Sequence, residues 1–384
     1  MINSPGDLTI DTAKFLPLRL DFRMNVAHGL AHHKYSVNIA VEILSETGKS
    51  GFGECVPRSY VTGETPESVA LALDEMLPTV TGIHLSSPAD VVSLLENIGN
   101  SKTGSHNPAA LCALELALLD LAGKHWNISV TDILGLERNS KLLVYSLVVP
   151  LLPMKVLPPF LENAKSFNFP NVKVKIDGHN PAGRVRAVKE ILGPDIEIRV
   201  DANCSWERYN AHVLLREMAD LGVVSIEQPL PADDFEGMAE LFSTRALSIT
   251  LDESILTPED VKRCASTGTG DIINVRISKC GGLLGALRII EAAHNSGLDI
   301  QLGAHVGESC ILSAAGMHLA AGTLPFRWLE GFFGTHLLVK DLCKKDFCFG
   351  HGGLVNPLDG PGLSVDIDRH RIDEAHALYI SARN

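Results

Sequence analysis

The chain has no run of 18 uncharged apolar residues anywhere in its 384, so no membrane-spanning helix is expected. It is short of basic residues: 33 Lys and Arg stand against 46 Asp and Glu, a formal charge of −13. That excludes the extended basic face of a nucleic-acid binder, although a local cationic site can still sit in an acidic protein. It also lacks any Cys-x-x-Cys pair. The eight cysteines, at 55, 112, 204, 264, 280, 310, 343 and 348, are scattered, which argues against zinc ribbons and thioredoxin chemistry and fits reduced thiols in a cytoplasmic protein. Residues 1–14 show no basic-then-apolar signal pattern.

What is present is ordinary globular composition, 45% hydrophobic and 21% charged, in a chain long enough for a barrel of about 250 residues plus an accessory domain. The first part has strand-like alternation, as at 35–44, followed by helical patterns at 66–77 and 108–125. In the latter, Ala109, Leu111, Ala113, Leu114, Ala117 and Leu118 give a wide apolar surface and predict a buried helix. Strands first and helices after predict an α+β domain of about 130 residues.

From Leu143 the texture becomes a repeat. Short apolar runs at 144–149, 171–176, 196–200, 223–227, 248–252, 272–278, 299–302 and 326–330 alternate with amphipathic patterns at 182–192, 206–221, 235–242, 258–267, 284–296 and 309–321. The run ends Pro150, Lys175, Asp201, Glu227, Asp252, Lys279, His305 and Glu330 are 25 to 27 residues apart. Near-constant spacing of strand plus helix reads as parallel βα units, and eight of them close into a (β/α)8 barrel. An open doubly wound sheet would carry a glycine-rich phosphate loop after its first strand, and none follows Val149. After Glu330 the pattern is irregular and ends in a Gly/Pro-rich tail.

Polar residues stand where the apolar runs stop, at the C-terminal mouth where barrels of this kind build active sites. Asp201, Glu227 and Asp252 end three adjacent strands and can converge on one hard cation; an all-oxygen set with open positions suits Mg²⁺, with Mn²⁺ the alternative. Lys175 and Lys279 end strands two and six, four steps apart in a ring of eight, so they are expected to face each other across the mouth. A small-molecule carboxylate held by the cation would then have its α-carbon between two lysines. Removing the α-proton makes a dianionic enediolate. A cation about 4 Å away contributes about 4 kcal/mol per unit charge pair at an effective dielectric of 20. A partly desolvated lysine near such a cation has its pKa lowered towards the range of a general base.

The set Lys173-Val-Lys175, Asp201-Ala-Asn203, Glu227-Gln-Pro229, Asp252-Glu-Ser254 and Lys279-Cys-Gly281-Gly282 resembles the muconate lactonizing enzyme subgroup of the enolase superfamily, which also takes in mandelate racemase-like proteins. Gly51-Phe-Gly-Glu54 and the segment from Ala117 to Lys124 resemble that family's capping domain. The resemblance covers most of the chain. It implies an α+β capping domain over a modified (β/α)7β barrel: residues 1–130 capping, 131–355 barrel, and 356–384 a segment returning to the cap. It further implies Mg²⁺ on Asp201, Glu227 and Asp252, an acid/base pair of Lys175 and Lys279, and supporting roles for Lys173, Asn203 and Glu253.

Each residue alone has a plainer explanation. A single Asp at a strand end is as often a helix N-cap, and a single Lys there is more often at the surface. Lys173 and Lys175 point the same way because strand side chains alternate, and on the inward face an unpaired lysine is costly. His305 by itself reads as structural. Glu308 is expected to contact substrate, as cycloisomerases of the resembling family carry a carboxylate nearby. Trp328-Leu329-Glu330 has one carboxylate where dipeptide epimerases have Asp-x-Asp for a substrate ammonium group. The cap loops 24–33 and 57–65 are expected to set specificity, through Arg58 and Tyr60; against that stands a simple capped turn with Thr65 as N-cap of the next helix.

The expected activity is therefore a Mg²⁺-dependent isomerase: a racemase or epimerase of an N-acyl amino acid or dipeptide-like acid. The alternatives are a muconate-type cycloisomerase or a hydroxy-acid dehydratase. A metal-dependent hydrolase is disfavoured, since the chain has no His-x-His, and a non-catalytic binding protein would be expected to have lost one of the five polar residues. A homo-oligomer is expected from the family.

Overall fold

The computed structural model describes residues 6–28, 31–322, 325–331, 333–345 and 348–383, with backbone alone at 27, 28, 31 and 32. Of the cap loop 24–33, residues 29 and 30 and the side chains of 27–32 lie outside the described residues, as does Phe332.

The first part is a four-stranded antiparallel sheet ordered Ser50–Cys55, Ala31–Ser45, Leu8–His28, His84–Leu85. The helix Pro108–Trp126 lies against strand Ser50–Cys55 so closely that glycine is required there. A Cβ on Gly51 would stand 2.2 Å from the Ala117 carbonyl oxygen, and one on Gly53 2.0 Å from that of Ala113. Thr65 caps the helix Pro66–Met76, accepting from Ser68 N at 3.2 Å while Ser68 Oγ accepts from Thr65 N at 2.9 Å.

The second part is an eight-stranded parallel sheet: Leu147–Val149, Asn171–Lys175, Glu197–Asp201, Ser225–Glu227, Ser248–Leu251, Ile272–Val275, Asp299–Leu302 and Trp328–Leu329, each hydrogen-bonded to the next. The ring closes where Tyr145 bridges Leu329 and Ser146 N donates to the Leu329 carbonyl at 2.8 Å. Seven helices connect the strands: Leu157–Lys165, Pro181–Leu192, Arg208–Asp220, Phe235–Ser243, Pro258–Thr267, Leu283–Asn295 and Cys310–Gly322. The eighth strand is followed by the four-residue helix Gly334–Leu337, with no barrel helix packed beside it among the described residues, so the architecture is (β/α)7β with an N-terminal α+β unit.

The structure differs from the pattern reading at three places. The run at 144–149 is two strands, because Leu143–Val144 pairs antiparallel with Leu354–Val355 and only Leu147–Val149 enters the barrel. The first barrel helix was illegible because Pro158 and Pro159 open it; proline is tolerated only in that first turn. The sixth strand stops at Val275, and 277–281 form a turn, which moves Lys279 off the strand end.

Buried carboxylates join the two parts. Glu54 accepts from Ser309 N at 3.1 Å and Ser309 Oγ at 2.6 Å, and from Leu312 N at 3.2 Å, at the start of the seventh barrel helix. Glu115 accepts from Leu283 N and Leu284 N at the start of the sixth. The final helix Arg369–Ser381 returns to the cap, where His376 Nδ1 lies 2.8 Å from the Pro17 carbonyl oxygen.

Candidate active site

Strand register sets the site. Lys175 pairs with Asp201, and Asp201 with Glu227, so three neighbouring strands end at one level with their terminal side chains pointing inward. The chain then turns sharply. Asn203 and Gln228 follow with φ of 43° and 36°, a left-handed geometry that non-glycine residues hold only under constraint. Gln228 repays part of this: its Oε1 accepts from Asp252 N at 3.0 Å and its Nε2 donates to Ser254 Oγ at 2.7 Å, which fixes the turn that presents Asp252.

Lys175 Nζ donates to Asp201 Oδ2 at 2.6 Å and Asn203 Oδ1 at 2.7 Å. Lys173, two residues earlier on the same face, reaches Glu227 Oε2 at 3.0 Å, Asp201 Oδ2 at 3.4 Å, and Glu330. Burial opposes its charge, but Glu227, Glu330 and Asp201 outweigh burial and raise its pKa. Asn203 Nδ2 donates to Glu253 Oε1 at 3.1 Å. Asp201 is fully buried, yet Lys175 and Lys173 hold its carboxyl below the usual range. Burial and neighbouring carboxylates push Glu227 and Glu253 upward.

Lys279 is not where strand spacing put it. Its ammonium is fully enclosed and donates to the Asp252 carbonyl at 2.8 Å, Asp252 Oδ1 at 2.9 Å and the Asn274 carbonyl at 2.8 Å. Three donors meet three acceptors, and the residue is absent from the wall of the cavity above the strand ends. The side chain that strand six sends to the mouth is Arg276, which lines the cavity, ion-pairs with Asp252 and lies 3.4 Å from Glu227 Oε1. The sequence offered a signal for it. Arg276 is the period-two partner of Asn274, and its guanidinium interrupts an apolar run, as Arg199 does two residues before Asp201 and Gln301 does in strand seven. Asn274 Nδ2 and Gln301 Nε2 each donate to Glu227 at 2.9 Å.

The cavity has a volume of about 290 Å³, and Lys173, Lys175, Asn203 and Arg276 stand at its polar end. Tyr60, His305, Glu308 and Glu330 also reach its wall. Glu330 is committed to Lys173 and, at 2.5 Å, to Arg199. Glu308 Oε1 accepts from His305 N at 2.7 Å, and burial raises its carboxyl to about 8. Arg58 does not line this cavity. It is buried and donates to the Val306 carbonyl at 2.6 Å and to Ser36 Oγ at 3.0 Å, so it ties the cap loop to the loop after strand seven.

The donor set fits a hard divalent cation. Asp201, Glu227 and Asp252 supply only oxygens, and Glu253 Oε2 beside them is buried with no hydrogen-bond partner among the described residues.

Residues 18–135 match the family described as mandelate racemase / muconate lactonizing enzyme, N-terminal domain, and residues 160–371 match enolase C-terminal domain-like. The chain belongs to this enzyme family. The N-succinyl-L-Arg/Lys racemase of Bacillus cereus is 29% identical over 94% of both chains, and its crystal structure superposes with a TM-score of 0.85 over 96% of this chain and 98% of that one, at 26% identity. Muconate cycloisomerase 1 of Acinetobacter baylyi is 26% identical over 89% of this chain and 94% of its own. The dipeptide epimerase of Enterococcus faecalis, solved with Mg and L-Leu-L-Tyr, superposes with a TM-score of 0.83 at 24% identity, covering 93% and 99% of the two chains. These relatives are thus isomerases of racemase, epimerase and cycloisomerase type.

Proposed function

We propose that this chain is a Mg²⁺-dependent isomerase that removes a proton α to a carboxylate through an enediolate, acting as a racemase or epimerase of an N-acyl amino acid or dipeptide-like acid. One observation carries the reading: the Lys175 ammonium reaches the cavity from beside Asp201, at the level where three carboxylates end their strands. In this reading Asp201, Glu227 and Asp252 hold the cation, whose charge would polarise the substrate carboxylate and offset the second negative charge of the enediolate. Lys175 transfers the proton. Lys173 and Asn203 fix Asp201, Glu227 and Lys175, and Glu253 fixes Asn203. Lys173, Lys175, Arg276 and Lys279 pair with Asp201, Glu227 and Asp252, and a divalent ion held there would supply the further positive charge that a dianion requires.

The rest of the cavity supports a substrate with a large apolar group and no ammonium. Phe160, Phe167, Phe169, Phe333, Phe349 and His336 line it, with Phe169 and Phe349 edge to face at 5.1 Å and His336 stacked on Phe349 at 4.9 Å. Glu330, the one carboxylate of the Trp328-Leu329-Glu330 triplet, is already paired twice. A second reading, a cycloisomerase of a diacid, is favoured by the Arg276 guanidinium in the cavity wall, which could take a second carboxylate.

We place the domain limits near residues 130 and 355. Eight free cysteines support a reducing, cytoplasmic setting. Tyr209 and Val213, exposed one turn apart on one helix, support a homo-oligomer, which light scattering would test.

Incubation with Mg²⁺ in D₂O and a panel of N-acyl amino acids, dipeptides and diacids tests the activity. Deuterium uptake that needs both Mg²⁺ and Lys175 is expected; no uptake from any member would overturn the proposal.

A further inference from the structure

The segment after the eighth strand has no barrel helix to hold it, yet its helix Gly334–Leu337 brings His336 and Leu337 to the cavity wall. Three buried side chains meet where that segment runs on. Cys310 opens the helix Cys310–Gly322, and Asp341 and Cys343 stand in the returning chain. They are 0%, 6% and 4% exposed, and their two Sγ atoms and a carboxylate oxygen all lie within 4.8 Å of one another. Asp341 Oδ1 accepts from Cys310 N at 3.0 Å and Leu342 N at 2.7 Å, while Oδ2 is buried with no hydrogen-bond partner among the described residues. Space is kept for that oxygen: a Cβ on Gly334 would stand 2.3 Å from it, and Gly334 has no left-handed φ to require glycine. An idle buried carboxylate oxygen beside two thiols is costly unless something outside the chain completes it.

We propose that Cys310, Asp341 and Cys343 form a metal site separate from the barrel carboxylates, one that takes a thiophilic divalent cation of the zinc class and fastens the segment after strand eight to the seventh barrel helix. Two sulfurs and one oxygen suit Zn²⁺, which binds tetrahedrally with Zn–S about 2.3 Å and Zn–O about 2.0–2.2 Å, and do not suit hard Mg²⁺. Adjacent ligand atoms on such an ion stand roughly 3.5–3.8 Å apart, inside the 4.8 Å spread found here. The fourth position is left to water or to the Lys345 carbonyl oxygen, which accepts from Cys343 Sγ at 2.9 Å. Binding sends two thiol protons to solvent. Two thiolates and a carboxylate then exceed the charge of the ion by one. The N-terminus of the helix Cys310–Gly322 offsets this, as does Arg371, which donates to the Asp341 carbonyl at 3.2 Å and to the Cys343 carbonyl. Glu54, at the same helix N-terminus, and Asp368, 3.3 Å from Arg371 Nε, act against it.

The test uses the full chain, reduced and in excess Mg²⁺, with one equivalent of Co²⁺ or Zn²⁺. Co²⁺ is expected to give thiolate-to-metal charge-transfer absorption that Zn²⁺ abolishes, and X-ray absorption of the Zn²⁺ form is expected to show two sulfurs at about 2.3 Å. Cys310→Ser and Cys343→Ser should each lose at least half of the Co²⁺ band, while Cys348→Ser keeps it. The X-ray absorption needs no variant, so it decides the matter where a substituted chain does not fold. A Zn²⁺ shell without sulfur, a Co²⁺ band unchanged in both variants, or no uptake of either ion by the reduced chain overturns the site. None of these readouts involves α-hydrogen exchange, so the isomerase reading stands or falls apart from them.

Discussion

Lys279 and Asp252 form a closed pair: the ammonium lies 2.9 Å from Asp252 Oδ1 and 2.8 Å from the same residue's carbonyl oxygen, with no exposed surface on either side chain. Such a pair holds the fifth strand end in place, and removing Lys279 takes away three hydrogen bonds of a buried ammonium and leaves Asp252 to Arg276. Lys279→Met is therefore expected to lower the unfolding free energy by about 3 kcal/mol, read by urea denaturation. Lys175→Met removes two hydrogen bonds at the cavity wall and leaves Asp201 to Lys173, so it should cost less stability, yet lose α-hydrogen exchange by about 10²–10⁴-fold. A Lys279 variant with unaltered stability and no exchange would return that lysine to the chemistry.

The close approach of Gly53 to the helix Pro108–Trp126 gives a second prediction. A methyl group on Gly53 would meet the Ala113 carbonyl at 2.0 Å and Ala117 N at 2.5 Å, both backbone atoms that cannot step aside. Gly53→Ala should destabilise by about 3 kcal/mol or more, the upper end for overpacking. Gly178→Ala, with nothing within 4 Å, should stay within about 0.5 kcal/mol. Equal denaturation midpoints for the two variants would contradict the packing described.

How far the sequence was legible follows from the same residues. The barrel was readable because parallel βα units repeat at a fixed spacing, and Lys175, Asp201, Glu227 and Asp252 fell at or beside strand ends. Arg276 and Lys279 were not separable by spacing alone: both lie within one repeat of the expected position, and only the turn at 277–281 decides which side chain reaches the mouth. Arg58 has the charge of a substrate anchor, but its acceptors, Ser36 and Val306, come from distant segments that no local pattern connects. The two halves of 144–149 were likewise indistinguishable until Leu354–Val355 returned to pair with the first.

Phe349 tests the substrate class. It is buried at the centre of the aromatic wall, against Phe169, Phe333 and His336. Its removal takes away apolar surface worth about 1.5–3 kcal/mol to any ligand group that fills the wall. Phe349→Ala should raise KM for N-acyl phenylalanine by about 10- to 100-fold and leave that for N-acyl alanine nearly unchanged. A uniform rise across side chains would place the substrate's apolar group elsewhere.

Glu115 supplies the pH dependence. Its carboxylate sits at the N-terminus of the helix Leu283–Asn295, where the helix dipole favours a negative charge. Burial outweighs that and the two backbone hydrogen bonds, and pushes its pKa from 4.5 to about 7. The folded state thus prefers the protonated form. That stability is fully present below pH about 4.5 and is lost as pH rises through about 7, at about 1.4 kcal/mol for each unit, roughly 3 kcal/mol in all. Glu54, also raised to about 7 by burial, acts in the same direction. Glu115→Gln stays neutral throughout, so urea unfolding from pH 5 to 7 should show a shallower decline than in the unaltered chain, with Glu54 supplying what slope remains. Parallel declines would mean that the dipole and the Leu283 and Leu284 N–H groups keep Glu115 ionised at the cap–barrel junction.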